Sequence, residues 1–183
     1  MAIKLNQVMI DRFIDKDKGG FYTTKIGRTD IITRVKDAYD GATLSGNGVA
    51  ATNLAKISEF TSDEKMRSLA NKTVLAFWDG LDSNPERYSQ MLCTLDFLIG
   101  QPKEIVLAGK TNDFREMLQE IRQTFIPNKI VAHSPINQNK LTKIIPMLEG
   151  KSPLNNKATV YVCQNYSCKQ PVNDVLSLKN ILK

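Results

Sequence analysis

The densest run of chemistry-bearing side chains lies between positions 19 and 47. Gly19-Gly20-Phe21-Tyr22-Thr23-Thr24 is followed by Arg34-Val35-Lys36-Asp37-Ala38-Tyr39-Asp40, and then by Ser45-Gly46-Asn47. Aromatic faces, hydroxyls, cations, two carboxylates and an amide stand beside glycines that let backbone approach closely. That set can hydrogen-bond a polyhydroxylated ligand. Phe21 and Tyr22 would supply a platform, and Arg34, Lys36, Asp40, Ser45 and Asn47 the polar contacts. Asp37 and Asp40 are the two carboxylates of this run and its candidate catalytic groups. A polar loop that satisfies itself while capping helices has the same composition, so both readings stay open.

Other patterns fall short of their chemistry. Gly46-Asn47-Gly48-Val49-Ala50-Ala51 matches a dinucleotide-binding spacing, but the preceding residues, Asp37 to Leu44, are polar and contain Gly41, so no strand leads into it. Tight helix entry and close packing explain the glycines better. Gly109-Lys110-Thr111 ends like a P-loop, yet Glu104 stands where that motif needs its first glycine. Cys163 and Cys168 are spaced for neither a two-residue redox motif nor a four-ligand zinc site, and they remain weak candidates for redox or metal chemistry beside a structural pair. Cys93 lies inside an apolar helical pattern and is expected in the core. His133 is the only histidine, at the end of an apparent strand, and no Gly-x-Ser-x-Gly elbow accompanies it. A capping or surface role suits it. No cofactor is called for.

The elements that must position these residues change character near Pro102. Before it, helices are expected over 3–14, 45–60, from a Thr61/Glu64 capping box towards Phe77, and from Asn84-Pro85 to Ile99, with a short β-hairpin pairing Phe21–Thr24 with Asp30–Val35. After it, Glu104–Ala108 and Lys129–His133 read as strands flanking a helix over 114–125. A helix over 141–148, a strand over 158–163 and a final helix over 172–182 follow. The expected fold is mainly α with a small α/β part, divided at 1–101 and 102–183.

The 183 residues carry 25 basic and 19 acidic side chains, a net charge of +6, all of it in residues 101–183, where 12 basic residues face 6 acidic ones. Those lysines are scattered without interleaved aromatics, so a solvated basic face is expected and nucleic-acid binding is not. The longest apolar run, Val74 to Trp78, is far below the ~20 residues of a membrane span. The charged N-terminal segment is no secretory signal, and three cysteines suit a reduced, cytoplasmic setting.

Gly19–Tyr22, Arg34–Asn47 and the C-terminal string Ala158-Thr159-Val160-Tyr161-Val162-Cys163-Gln164-Asn165-Tyr166-Ser167-Cys168 to Pro171-Val172 together resemble the spermatogenesis-associated thioredoxin-like proteins, nearly end to end and in the same order. The resemblance implies a helical toroid of six hairpins, similar to N-acylglucosamine 2-epimerases and six-hairpin glycosidases. This chain looks like the last third of it, as a partial (α/α) toroid followed by a short α/β segment. The thioredoxin-like domain and its Cys-x-x-Cys lie outside that portion, and the histidines such epimerases use as acid and base have no counterpart here. The chain is then expected to contribute one side of a polar, sugar-type pocket. Its alternative role is a non-catalytic interaction or structural module that completes a larger toroid. An incomplete ring leaves apolar faces for the missing N-terminal portion, a second copy or another protein.

Overall fold

The computed structural model describes residues 1–135, 140–165 and 167–183, so Tyr166 of the C-terminal signature lies outside the described residues. The chain divides into two compact units, Met1–Glu59 with Asp63–Ile99, and Phe60–Ser62 with Gly100–Lys183. The architecture is mainly α with a small mixed sheet.

The first unit is helical: α1 (Ala2–Phe13), α2 (Gly46–Thr61, whose last residues fall in the second unit), α3 (Glu64–Leu75), α4 (Trp78–Ser83) and α5 (Ser89–Ile99), with a 3-10 turn at Pro85–Tyr88. Small residues let α2 approach its neighbours. A Cβ on Gly48 would stand 2.9 Å from the Gln90 side chain, so the glycine is needed where α2 meets the start of α5. Thr52 and Thr94 hydroxyls lie 2.6 Å apart, and the Gln90 amide donates to Thr52 Oγ1 at 2.7 Å, which satisfies the polar groups along that seam. Ala51, Leu54, Ala55, Ala70, Val74 and Met91 fill the interior.

Three local expectations change. The 21–24 and 30–35 segments do not form paired strands, because the first finds its partners elsewhere. Tyr22 N–H donates to Phe13 O at 2.8 Å, Ile14 and Phe21 form an isolated bridge, and Thr23 N–H to Val35 O is the sole backbone bond recorded between the segments. The capping residue of α3 is Asp63, whose carboxylate accepts from the Lys65 and Met66 amides, while Thr61 ends α2. Over 141–148 only a short 3-10 turn forms, Pro146–Leu148, since proline lacks an N–H and tolerates only a first turn.

In the second unit, β1 (Lys103–Ala108), α6 (Arg115–Gln123) and β2 (Lys129–Ser134) form a parallel strand–helix–strand unit. β3 (Thr159–Gln164) joins β1 antiparallel and β4 (Ser167–Cys168) pairs with β3, giving the order β2-β1-β3-β4. α7 (Val175–Leu182) is capped by Asp174, whose carboxylate accepts from the Ser177 amide. Period-two alternation splits the strand residues between the two faces. Ile105, Leu107, Val160 and Val162 pack with Phe114, Met117 and Ile121 of the α6 region and Leu178 and Leu182 of α7. Val106, Ala108 and Tyr161 pack with Leu148 on the other face. Leu178 is fully buried. Leu178→Ala is expected to cost this unit about 2–5 kcal/mol in urea unfolding followed by circular dichroism. A loss below about 1 kcal/mol would mean that α7 is not part of the core.

Candidate functional site

The segment between α1 and α2 is organised from both ends. At its start, α1 stops at Ile14 and the chain turns back on Asp15. One Asp15 carboxylate oxygen accepts the Asp17 and Lys18 amides, both at 3.0 Å, and the Asp15 N–H donates to Gly20 O at 2.9 Å. Gly19 and Gly20 take positive φ of 75° and 73°, and a Cβ on Gly19 would lie 2.6 Å from Lys72 O, so only glycine suits this reversal. The other Asp15 oxygen accepts from Lys36 Nζ at 2.7 Å and from the Tyr22 hydroxyl at 2.9 Å, and Lys36 donates also to Gly19 O.

At the segment's end, the Asn47 side chain at the head of α2 is 3% exposed and fully used. Its Oδ1 accepts from Phe21 N–H at 2.7 Å, and its Nδ2 donates to Phe21 O at 2.9 Å and Asp37 O at 2.8 Å. The side-chain amide thus pairs with Phe21 as a strand neighbour would. Ser45 caps α2, its hydroxyl accepting from Gly48 N–H at 3.1 Å. Asp40 accepts from Ser45 N–H and from Gln90 N–H, both at 2.7 Å, which ties the loop to the start of α5.

These anchors leave a recess of about 310 Å3 lined by Met9, Phe13, Phe21, Tyr22, Thr23, Asp37, Gly46, Asn47 and Ala50. Its lining is mostly apolar and aromatic, with the exposed residue Asp37 and the start of α2 as the polar part. Phe21, Tyr22, Asp37 and Asn47 are therefore brought together. Arg34 instead lies over the Tyr22 ring, 3.9 Å from its centroid, and donates to Thr24 O at 2.7 Å. Lys36, Asp40 and Ser45 serve backbone and ion-pair roles outside the lining. Asp37 and Asp40 do not line the recess together.

Asp15 is the residue that motif reading passed over. It is 6% exposed and carries the electrostatics of the loop. Amide donation from Lys18 and then the Lys36 ammonium hold its carboxyl well below the ordinary value of 3.8, against the opposing cost of burial. Its carboxylate in turn raises the Tyr22 phenol above 10, so the hydroxyl stays a donor. An aspartate directly after a helix, followed by two amides and a Gly-Gly pair, is the pattern that could have revealed it.

Elsewhere, His133 Nε2 pairs with Gly109 O at 2.8 Å and its ring meets Phe114 edge-on, so it fastens the end of β2. Cys163 and Cys168 stand opposite each other on β3 and β4 and form a disulfide, so neither is a thiolate ligand in this structure. Among the described residues, no three of His, Cys, Asp and Glu cluster to hold a metal, and no helix is long and apolar enough to cross a membrane.

Fold and recess together describe a helical unit carrying a loop-built pocket, followed by a small α/β unit. No protein-family model matches the chain. It is similar to Spermatogenesis-associated protein 20 of Mus musculus, 27% identical over 186 residues that cover 99% of this chain and 23% of that protein. The human protein of the same name matches at 27% over 186 residues, with 24% of its length covered. A Caenorhabditis elegans protein described as uncharacterized is 23% identical over 193 residues. The chain spans about a quarter of the length of the curated relatives it matches. Similarity across the whole chain supports the family indicated by the motifs.

The ion pair gives a pH signature. A depressed folded-state pKa adds stability that is present above the unfolded value of 3.8 and lost as pH falls through the lower folded value. The stability gap between the native chain and Asp15→Asn is expected to stay constant above about pH 5 and to shrink below it. Denaturant unfolding from pH 7 to pH 2 checks this, and a gap independent of pH would refute the assignment.

Proposed function

We propose that residues 1–99 form part of an (α/α) toroid and that the recess beside Phe21, Tyr22 and Asp37 is one side of a binding pocket for a neutral, sugar-like ligand. The observation that carries this reading is the pairing of an aromatic, apolar wall with an outward-facing carboxylate around a recess of about 310 Å3. Sugars present apolar C–H faces and hydroxyl edges, and such a site meets both. Asp37 is the group left for ligand contact, since its recorded bond is the acceptance of Tyr39 N–H at 3.0 Å, and one carboxylate oxygen can serve more than one donor. Arg34, Lys36, Asp40 and Ser45 hold the loop from outside the lining, and the Asn47 amide is taken up by its three backbone bonds. This reading assigns recognition to the chain and leaves catalysis to groups outside it.

A second reading, in which the unit acts by packing against other polypeptide, is favoured by α1. Asn6 is its sole buried residue, while Leu5 and Val8 are 57% and 43% exposed. Such an apolar surface fits a helical hairpin or a second copy.

Heteronuclear NMR titration with neutral hexoses, N-acetylhexosamines and their disaccharides separates the two. The binding reading expects shifts confined to amides near 21–23 and 46–50, abolished in Asp37→Ala with Tm unchanged. No response from the full panel, together with concentration-dependent association that Leu5→Lys removes, would replace it with the packing reading.

A further inference from the structure

The Cys163–Cys168 pair is independent of the recess, and its two sulfurs sit in unlike surroundings. Cys163 is 5% exposed, while Cys168, on the two-residue strand β4, is exposed. Lys151 Nζ lies 3.1 Å from Cys168 Sγ. Glu104 stands opposite Cys163 in the β1–β3 register, and directly opposed residues project to the same face. The exposed sulfur is also the one with an ammonium beside it, which favours thiolate character on Cys168.

The hairpin does not depend on the bond. Lys169 N–H donates to Val162 O at 2.9 Å, and Val160 and Val172 exchange two backbone hydrogen bonds, so the segment after β4 stays fastened to β3 without it. The two cysteines are five residues apart, which closes only a small loop and constrains the unfolded chain little. Cys163 and Cys168 are among the residues lining a recess of about 250 Å3.

We propose that Cys163 and Cys168 form a reversible thiol–disulfide exchange site, with Cys168 the exchanging sulfur, Cys163 its resolving partner, and an anionic small thiol as the co-reactant. In reduction, the small thiolate attacks Cys168 Sγ and forms a bond to it. The Cys163–Cys168 bond breaks, and its electron pair leaves on Cys163 Sγ, which takes a proton from water. A second small thiolate then attacks the small-molecule sulfur of the mixed disulfide, releasing the small disulfide and the Cys168 thiolate beside Lys151. Two electrons pass from two small thiols to the protein pair, and oxidation is the same path reversed. The Lys151 ammonium beside Cys168 favours a co-reactant thiol bearing carboxylates.

The probe is glutathione, applied to the full chain with Cys93→Ser to remove the other thiol, which lies on the exposed side of α5 and not in the core that its apolar neighbours suggest. In glutathione buffers of graded composition without denaturant, the pair is expected to interconvert between reduced and oxidised forms while far-UV circular dichroism stays unchanged. With oxidised glutathione, Cys163→Ser is expected to accumulate one adduct at Cys168 about tenfold faster than Cys168→Ser does at Cys163, and Lys151→Met to slow it several-fold. If either serine variant is unfolded by circular dichroism, alkylation of the reduced Cys93→Ser chain followed by peptide mass analysis gives the same comparison, with Cys168 labelled first. A pair that stays oxidised in reduced glutathione until the chain is unfolded, or equal reactivity of the two sulfurs, would overturn the proposal.

Discussion

A single side-chain amide holds the loop-built part of the molecule in place. Asn47, at the head of α2, accepts one hydrogen bond from Phe21 and donates two, to Phe21 O and Asp37 O, with almost no exposure to water. Each bond alone contributes about 1 kcal/mol net, but removing the amide would strand buried backbone groups that cost more than that to leave unpaired. The two stretches it joins lie 26 and 10 residues before it in sequence. The first is also fastened to the end of α1 through Tyr22 and the second to the start of α5 through Asp40, but Asn47 joins Phe21 and Asp37 to each other, as a neighbouring strand joins a strand.

The other anchor is ionic. Asp15 and Lys36 form a shielded pair, and a shielded pair stabilises only where its remaining valences are met. Here they are: Asp15 takes two amides and a phenol, and Lys36 takes a carbonyl. The consequence for function is that most polar groups in the loop are committed to holding its shape. What remain at the recess are Asp37, the start of α2 and the aromatic residues Phe13, Phe21 and Tyr22, a small set held in place by those internal bonds.

Much of the helical and sheet framework is legible in the sequence because it rests on local periodicity. Met91 and Leu98 recur on one face of α5, and Ile105–Ala108 is a buried apolar run between chain breakers, so each reads correctly in isolation. The 21–35 segment misleads for the opposite reason: its β-prone residues pair with the end of α1 and with Asn47, and neither partner is visible from propensity. Among the candidate ligand groups, Phe21, Tyr22, Asp37 and Asn47 meet at the recess. Arg34 and Asp40 look identical in sequence, yet are spent on a tyrosine ring and two backbone amides. The cysteine spacing, read as too long for a redox motif, fits directly opposed positions on β3 and β4.

Hydrogen exchange at single-amide resolution, comparing the native chain with Asn47→Asp, addresses the role of Asn47 most directly, because the substitution keeps an acceptor for Phe21 and removes both donors. The amides of Tyr22, Thr23 and Tyr39 are expected to lose most of their protection while those of α5 beyond its first turn keep theirs. Protection that is unchanged across 21–39 would contradict the account and assign the loop's order to the Asp15–Lys36 pair alone.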